Sequence, residues 1–295
     1  MTMKRKYSNA LLDAMKNNAK EVDVKGVRVL IKPIPEGGDA GDMDPRVYKS
    51  MKTAAFMMKF MPKSKKPKTV LEQVLPLRKM FNTYKGTYIA DEGVKTEKFN
   101  VPSADGYQVP VRVYTRENRS ENLPMFVYYH GGGFFGGGPD IVEQMCKLLV
   151  QKLDCVAFNV DYRLCPENHY PAPLDATLNL MSGMMGGDAS QGNMLDNIYL
   201  QGNLNPEHIY ASPLLDDMHD LPATMLIFGE HDFLAFEDFA YAQTAAKAGV
   251  KLKTIIYRGM GHGFADQIGV APQAEDCMGE IAEYMKENLL KECTI

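Results

Sequence analysis

The stretch His130-Gly131-Gly132-Gly133-Phe134-Phe135-Gly136-Gly137-Gly138 constrains this chain more than any other. It follows an apolar run, Leu123 to Tyr129, and precedes a helical pattern, Ile141, Val142, Met145, Leu148 and Leu149. The glycines therefore fall at the carboxyl end of a strand in an alternating β/α region, the edge where open α/β sheets bind ligands. Without a Cβ, glycine lets the backbone pass close to a ligand with its N–H groups uncovered. Such groups can hold a phosphate or the oxyanion formed when an ester carbonyl is attacked.

Both anions find some support in the chain. Gly131, Gly133 and Gly136 fit G-x-G-x-x-G, and Asp161 at the end of the next strand lies where a dinucleotide fold keeps its ribose acid. The helix, however, begins only near Asp140, too far past Gly136 for its first N–H groups to hold a pyrophosphate. The H-G-G-G loop of lipases and esterases predicts instead an elbow, then an acid, then a histidine, and the later chain supplies most of that order.

Hydrophobic residues at 45% and charged residues at 24% are ordinary for a globular protein, and a net charge of −4 gives no reason to expect nucleic acid. The 295 residues suit one large α/β domain with an elaboration. Cys146, Cys155, Cys165, Cys277 and Cys293 show no metal-binding spacing and read as reduced thiols of a cytoplasmic protein. No apolar run is long enough for a signal peptide or a membrane span. Neither a cofactor nor a metal is expected.

Residues 1–90 read as a helical cap and residues 91–295 as the catalytic domain. Met51, Ala54, Ala55, Met58 and Met61 recur at helical spacing, as do Val70, Val74, Leu77 and Phe81. The methionines suit either ordinary core packing or a mobile cover over an acyl pocket. The lysines from Lys49 to Lys68 read as a solvated face; contact with a membrane surface and a homodimer stay open. From Val94 the pattern turns to strands: a hairpin through Val101 and Tyr107–Thr115, then Leu123–Tyr129, Cys155–Val160, Ala223–Glu230 and Leu252–Arg258. Pro272 to Lys291 is a terminal amphipathic helix.

H-G-G-G-F, followed by Asp161-Tyr162-Arg163-Leu164-Cys165-Pro166-Glu167 and Tyr170-Pro171-Ala172, resembles the hormone-sensitive-lipase branch of the α/β-hydrolase fold. The resemblance implies a mostly parallel sheet with an N-terminal antiparallel hairpin and a carboxylic ester hydrolase acting on small or short-acyl esters. It also implies that Arg163 and Glu167 are structural, tying a loop below the site. The family's elbow, G-D-S-[AS]-G-G-N, is matched by Gly187-Asp188-Ala189-Ser190-Gln191-Gly192-Asn193, which puts Ala189 in the nucleophile slot. Ser190 falls one position later, as the residue lending its N–H to the oxyanion hole or as an alternative nucleophile if the turn slips. Either an engineered Ser-to-Ala change or a natural loss accounts for this, and the chain as written is expected to hydrolyse little or nothing.

Tyr210-Ala211-Ser212-Pro213-Leu214-Leu215, Asp232 just beyond a strand, and Gly259-Met260-Gly261-His262-Gly263-Phe264 resume the resemblance. They imply Asp232 as triad acid and His262 as general base, with Gly132, Gly133 and Ser190 as oxyanion donors. Asp232 could also serve simply as a helix N-cap. His130 is expected to anchor its loop, and His169, His208, His219 and His231 to lie on the surface. Between Val160 and Met225 no strand pattern occurs, and the 43 positions from Ala189 to Asp232 are roughly half the family's spacing. Central strands around the elbow are thus expected to be missing or shortened. Two other readings remain: a non-catalytic small-ligand-binding protein on the same fold, like the gibberellin receptor, and an NAD(P)-dependent oxidoreductase using the glycine loop.

Overall fold

The computed structural model describes residues 5–59, 69–83, 87–103, 105–121, 123–172, 199–200, 202, 204–205 and 207–290. The chain begins with α1 (Asn9–Asn17), the strands β1 (Lys20–Val24) and β2 (Val27–Lys32), α2 (Pro45–Lys59) and α3 (Val70–Thr83). Then come β3 (Val94–Pro102), β4 (Gln108–Arg116), β5 (Met125–Tyr129), α4 (Pro139–Leu153) and β6 (Val156–Val160). The C-terminal part holds β7 (Thr224–His231), α5 (Ala235–Lys247), β8 (Leu252–Gly261) and α6 (Pro272–Met285).

Among the described residues the strands form two sheets of four, ordered β1-β2-β8-β7 and β3-β4-β6-β5. β7 ends one sheet and β5 the other, and among the described residues no strand lies between Val160 and Thr224. The two sheets nevertheless share a core. Tyr128 of β5 and Val142 and Met145 of α4 pack in one cluster with Met260, Phe264, Ile268 and the α6 residues Ala274 and Met278. That cluster carries the loop after β8 to the neighbourhood of the strand that delivers the glycines.

One expectation needs correction. Residues 1–90 are not all helical: β1 and β2 form an antiparallel hairpin, and β2 runs parallel to β8, Val29 opposite Thr254 and Lys32 opposite Tyr257. The cause is local. Val22 and Val24 alternate with polar residues, Lys25 and Gly26 both take positive φ (50° and 84°) as a two-residue hairpin turn requires, and Val27 and Val29 are buried. Met15 of α1 is also fully buried in the main core, so this part of the chain belongs to the body of the domain. Among the described residues the strand pairings are mixed: β3–β4, β4–β6 and β1–β2 are antiparallel, and β5–β6, β7–β8 and β2–β8 are parallel.

Candidate active site

β7 and β8 are parallel neighbours and release Asp232 and His262 from the same end. A register shift between Gly229 and His231 brings the two strand ends together. Gly229 has to lack a side chain there, because a Cβ would overlap the Met260 carbonyl. Asp232 then closes a tight turn: its N–H donates to Gly229 O at 3.1 Å, and its Oδ1 accepts the Leu234 N–H at 2.9 Å ahead of α5. The same carboxylate faces His262 Nδ1 with both oxygens, at 3.0 and 3.1 Å. Helix entry and histidine pairing are thus joint duties of one side chain.

The carboxylate of Asp232 is nearly buried, whereas the His262 side chain is 44% exposed. Phe233 covers one face of the imidazole with ring centroids 4.6 Å apart. Since Nδ1 is turned to a carboxylate, it carries the proton and leaves Nε2 as the acceptor. The Asp232 hydrogen bond raises the imidazole pKa against the opposing effect of partial burial, and the charges of Asp232, Asp238 and Asp266 add to the rise. Burial pushes Asp238 and Asp266 themselves up to about 7, Asp232 adding to the shift of Asp238. Asp238 Oδ2 is buried without a hydrogen-bond partner among the described residues. Sequence reasoning did not single out these two carboxyls, because nothing in Phe236-Glu237-Asp238 or Ala265-Asp266 marks them as buried.

The glycine loop is a knot of left-handed backbone. Gly132, Gly133, Phe134 and Gly137 have φ of 131°, 57°, 61° and 87°. The N–H groups of Phe135 and Gly136 turn back to Gly132 O, at 3.2 and 2.9 Å, and Cys165 N–H holds Phe134 O at 2.9 Å. Among the described residues, the Gly132 and Gly133 N–H groups donate to nothing. His130 lies buried beneath them, stacked on Tyr162 at 4.2 Å, with Nδ1 2.9 Å from Gly131 O. Tyr162 Oη donates to His130 O at 2.6 Å. Burial lowers the His130 pKa to about 4, so this ring is neutral and anchors the loop, as expected.

Ala189 and Ser190 lie outside the described residues. Arg163 and Glu167 each tie a separate part of the chain to the loop they flank. Arg163 bonds Asp105 in the β3–β4 turn at 2.7 Å, and Glu167 takes a two-pronged bond from Arg78 of α3 at 2.8 and 2.7 Å. His208 and His219 are exposed and make local contacts, with Tyr210 and Asp217, and half-buried His231 sets Nε2 3.0 Å from Asp42 O.

The dinucleotide reading loses support here. The N–H groups of Gly136 and Gly137 are engaged within the protein, by Gly132 O and Asn82 Oδ1. The first turn of α4 carries Asp140, bonded to Arg112, where a pyrophosphate would need positive charge. Asp161, the supposed ribose acid, is raised in pKa by burial.

A family model described as alpha/beta hydrolase fold matches the chain in two segments, 126–202 and 188–266. The carboxylesterase NlhH of Mycobacterium tuberculosis is 39% identical over 89 residues, which are 28% of this chain and 28% of NlhH. A gibberellin receptor of Arabidopsis thaliana is 28% identical over 115 residues, 32% of this chain and 33% of the receptor. The matched stretches thus span about a third or less of these relatives' own length. Among solved structures, the ester hydrolase EH1AB1 from a Lake Arreo metagenome superposes with a TM-score of 0.66 at 19% identity, covering 83% of this chain and 98% of that one. The chain has the α/β-hydrolase fold. No described helix is long and apolar enough to cross a membrane.

Proposed function

We propose that this chain is built as a carboxylic ester hydrolase for small, short-acyl esters, and that Ala189 in the nucleophile slot silences it. The observation that carries the reading is the Asp232–His262 pair, held at the ends of two adjacent parallel strands with the second imidazole nitrogen left as acceptor. A serine hydroxyl at position 189 would lose its proton to His262 Nε2 as Oγ attacks the carbonyl carbon. Asp232 would stabilise the imidazolium, which then protonates the leaving alcohol. Gly132 and Gly133 would supply N–H donors to the oxyanion, with the N–H of Ser190 as a third. The partial likeness to carboxylesterases supports the same chemistry.

Restoring the hydroxyl tests this. Ala189→Ser is expected to hydrolyse p-nitrophenyl acetate and butyrate well above the parent chain; a revertant no faster than the parent would end the reading. A second reading, ligand binding without turnover, draws on Ala189 itself and on the likeness to a gibberellin receptor. Tight binding of a small apolar ligand by the parent and an inert revertant would favour it. The buried free thiols Cys146, Cys155, Cys165 and Cys277 fit a reducing compartment such as the cytoplasm.

A further inference from the structure

The glycine loop lacks the means to fix its own shape. Glycines in left-handed regions sit in shallow conformational wells, yet an oxyanion donor is useful only if aimed within a fraction of an ångström. The internal turn onto Gly132 O ties the middle of the loop and leaves its exit, Phe135 to Gly137, to be held by something else.

That something is α3. Val74, Arg78, Phe81 and Asn82 share one helix face by their spacing, and all four meet the loop or the residues packed on it. Val74 is fully buried with Phe134, Tyr162 and Cys165. Arg78 Nε donates to Phe135 O at 2.6 Å and Nη2 to Cys165 O at 2.5 Å, while the rest of the guanidinium is locked on Glu167. Asn82 Oδ1 accepts the Gly137 N–H at 3.0 Å. Phe81 meets Phe135 edge-on at 5.7 Å, and a Cβ at Gly136 would come within 3.3 Å of Phe81. The cation therefore fixes one peptide plane of the loop exit and the amide fixes the next.

We propose that Arg78 and Asn82 are positioning residues for the oxyanion hole: from α3 they lock the Phe135–Gly137 backbone so that the Gly132 and Gly133 N–H groups stay aimed at the substrate carbonyl. The proposal rests on the ester-hydrolase reading for its chemistry, while the clamp itself is a property of the parent chain. A merely structural Arg78–Glu167 ion pair would need neither the Phe135 bond nor Asn82.

The test has two arms. In the full parent chain, hydrogen exchange is followed at the Phe135 and Gly136 amides, whose own bonds to Gly132 O the substitutions leave in place. Asn82→Ala and Arg78→Lys are expected to speed that exchange about tenfold, and Asn82→Asp, which keeps an acceptor for Gly137, to restore it. In the Ala189→Ser chain the same two variants are expected to lower kcat for p-nitrophenyl butyrate about tenfold with KM nearly unchanged, again with rescue by Asn82→Asp. Unchanged exchange in both variants overturns the clamp whether or not the revertant is active. Faster exchange with kcat unchanged overturns its role in the oxyanion hole. An inactive revertant with faster exchange leaves the clamp standing and sinks the ester reading instead.

Discussion

Both carboxylate oxygens of Asp232 lie 3.0–3.1 Å from His262 Nδ1, while Oδ1 also accepts the Leu234 N–H. Replacing the carboxylate by an amide separates the two duties. In Asp232→Asn the amide oxygen can still accept from Leu234, so the melting temperature should change by no more than a few degrees. The imidazolium formed during turnover loses its counter-charge, and the imidazole is no longer held in one tautomer. In the Ala189→Ser chain kcat is expected to fall on the order of 10³–10⁴-fold, measured against p-nitrophenyl butyrate with melts run in parallel.

The rate of the Ala189→Ser chain should rise with pH, because only neutral His262 accepts a proton. Its pKa is raised by the Asp232 hydrogen bond first, with the charges of Asp238 and Asp266 contributing. The midpoint of the pH–rate profile should therefore lie above the usual histidine value of about 6.5. Asp238→Asn removes one of those charges and should move the midpoint down; a profile that stays in place would show that Asp238 does not act on the imidazole.

Asp238 also ties stability to pH. Its folded pKa is about 7, raised first by burial, against roughly 3.9 for an unfolded aspartate. Across that window the folded chain holds the extra proton, so this group's contribution to stability declines as pH rises from about 4 towards 7. His130, depressed to about 4 by burial, acts in the opposite sense, its contribution declining as pH falls from about 6.5 towards 4. The difference between Asp238→Asn and its parent isolates the carboxyl: the variant should gain little at pH 5 and several degrees in melting temperature at pH 8.

The paired Asp232 and His262 were legible because each stands just past a strand pattern and in a motif of the family, Gly229 to Leu234 and Gly259 to Phe264. Adjacent parallel strands then make the two residues neighbours. The glycine loop was legible for the reason it works, since few other sequences can tolerate its backbone. Partners distant in sequence were not. Asp105 and Arg78 meet Arg163 and Glu167 across 58 and 89 positions, and the resemblance gave the latter two a structural role without naming those partners. The Lys20–Lys32 hairpin carried its own signal in the Lys25-Gly26 turn, within the stretch read as a helical cap. Ala189 is identified by its motif alone.

Gly132 and Gly131 give a clean contrast. A Cβ at Gly132 would overlap the Gly136 carbonyl at a φ of 131°, whereas one at Gly131 meets nothing within 4 Å. Gly132→Ala must open the turn or strain it, and is expected to cost about 1–3 kcal/mol. Gly131→Ala should leave the melting temperature close to the parent's. Equal melts for the two would mean that the knotted loop contributes nothing to the stability of the domain.

The hairpin that sequence reading missed is held by a buried cation. Lys32 at the end of β2 is 1% exposed, and its Nζ lies 2.6 Å from Glu280 Oε1 and 3.0 Å from Asp276 Oδ2 of α6. Lys253 on β8 reaches Glu280 as well, at 2.8 Å, and Tyr257 Oη donates to Asp276 at 2.7 Å. Removing Lys32 leaves two inward carboxylates short of a counter-charge, and breaking a buried pair in this way costs about 3–5 kcal/mol. Lys32→Met, close in length and apolar, is therefore expected to melt far below the parent. Adding Glu280→Gln should recover part of that loss, because the orphaned charge goes with it. If the double variant is destabilised by the full sum of the two single changes, Lys32 acts through its packing against the sheet and the ion pair is incidental.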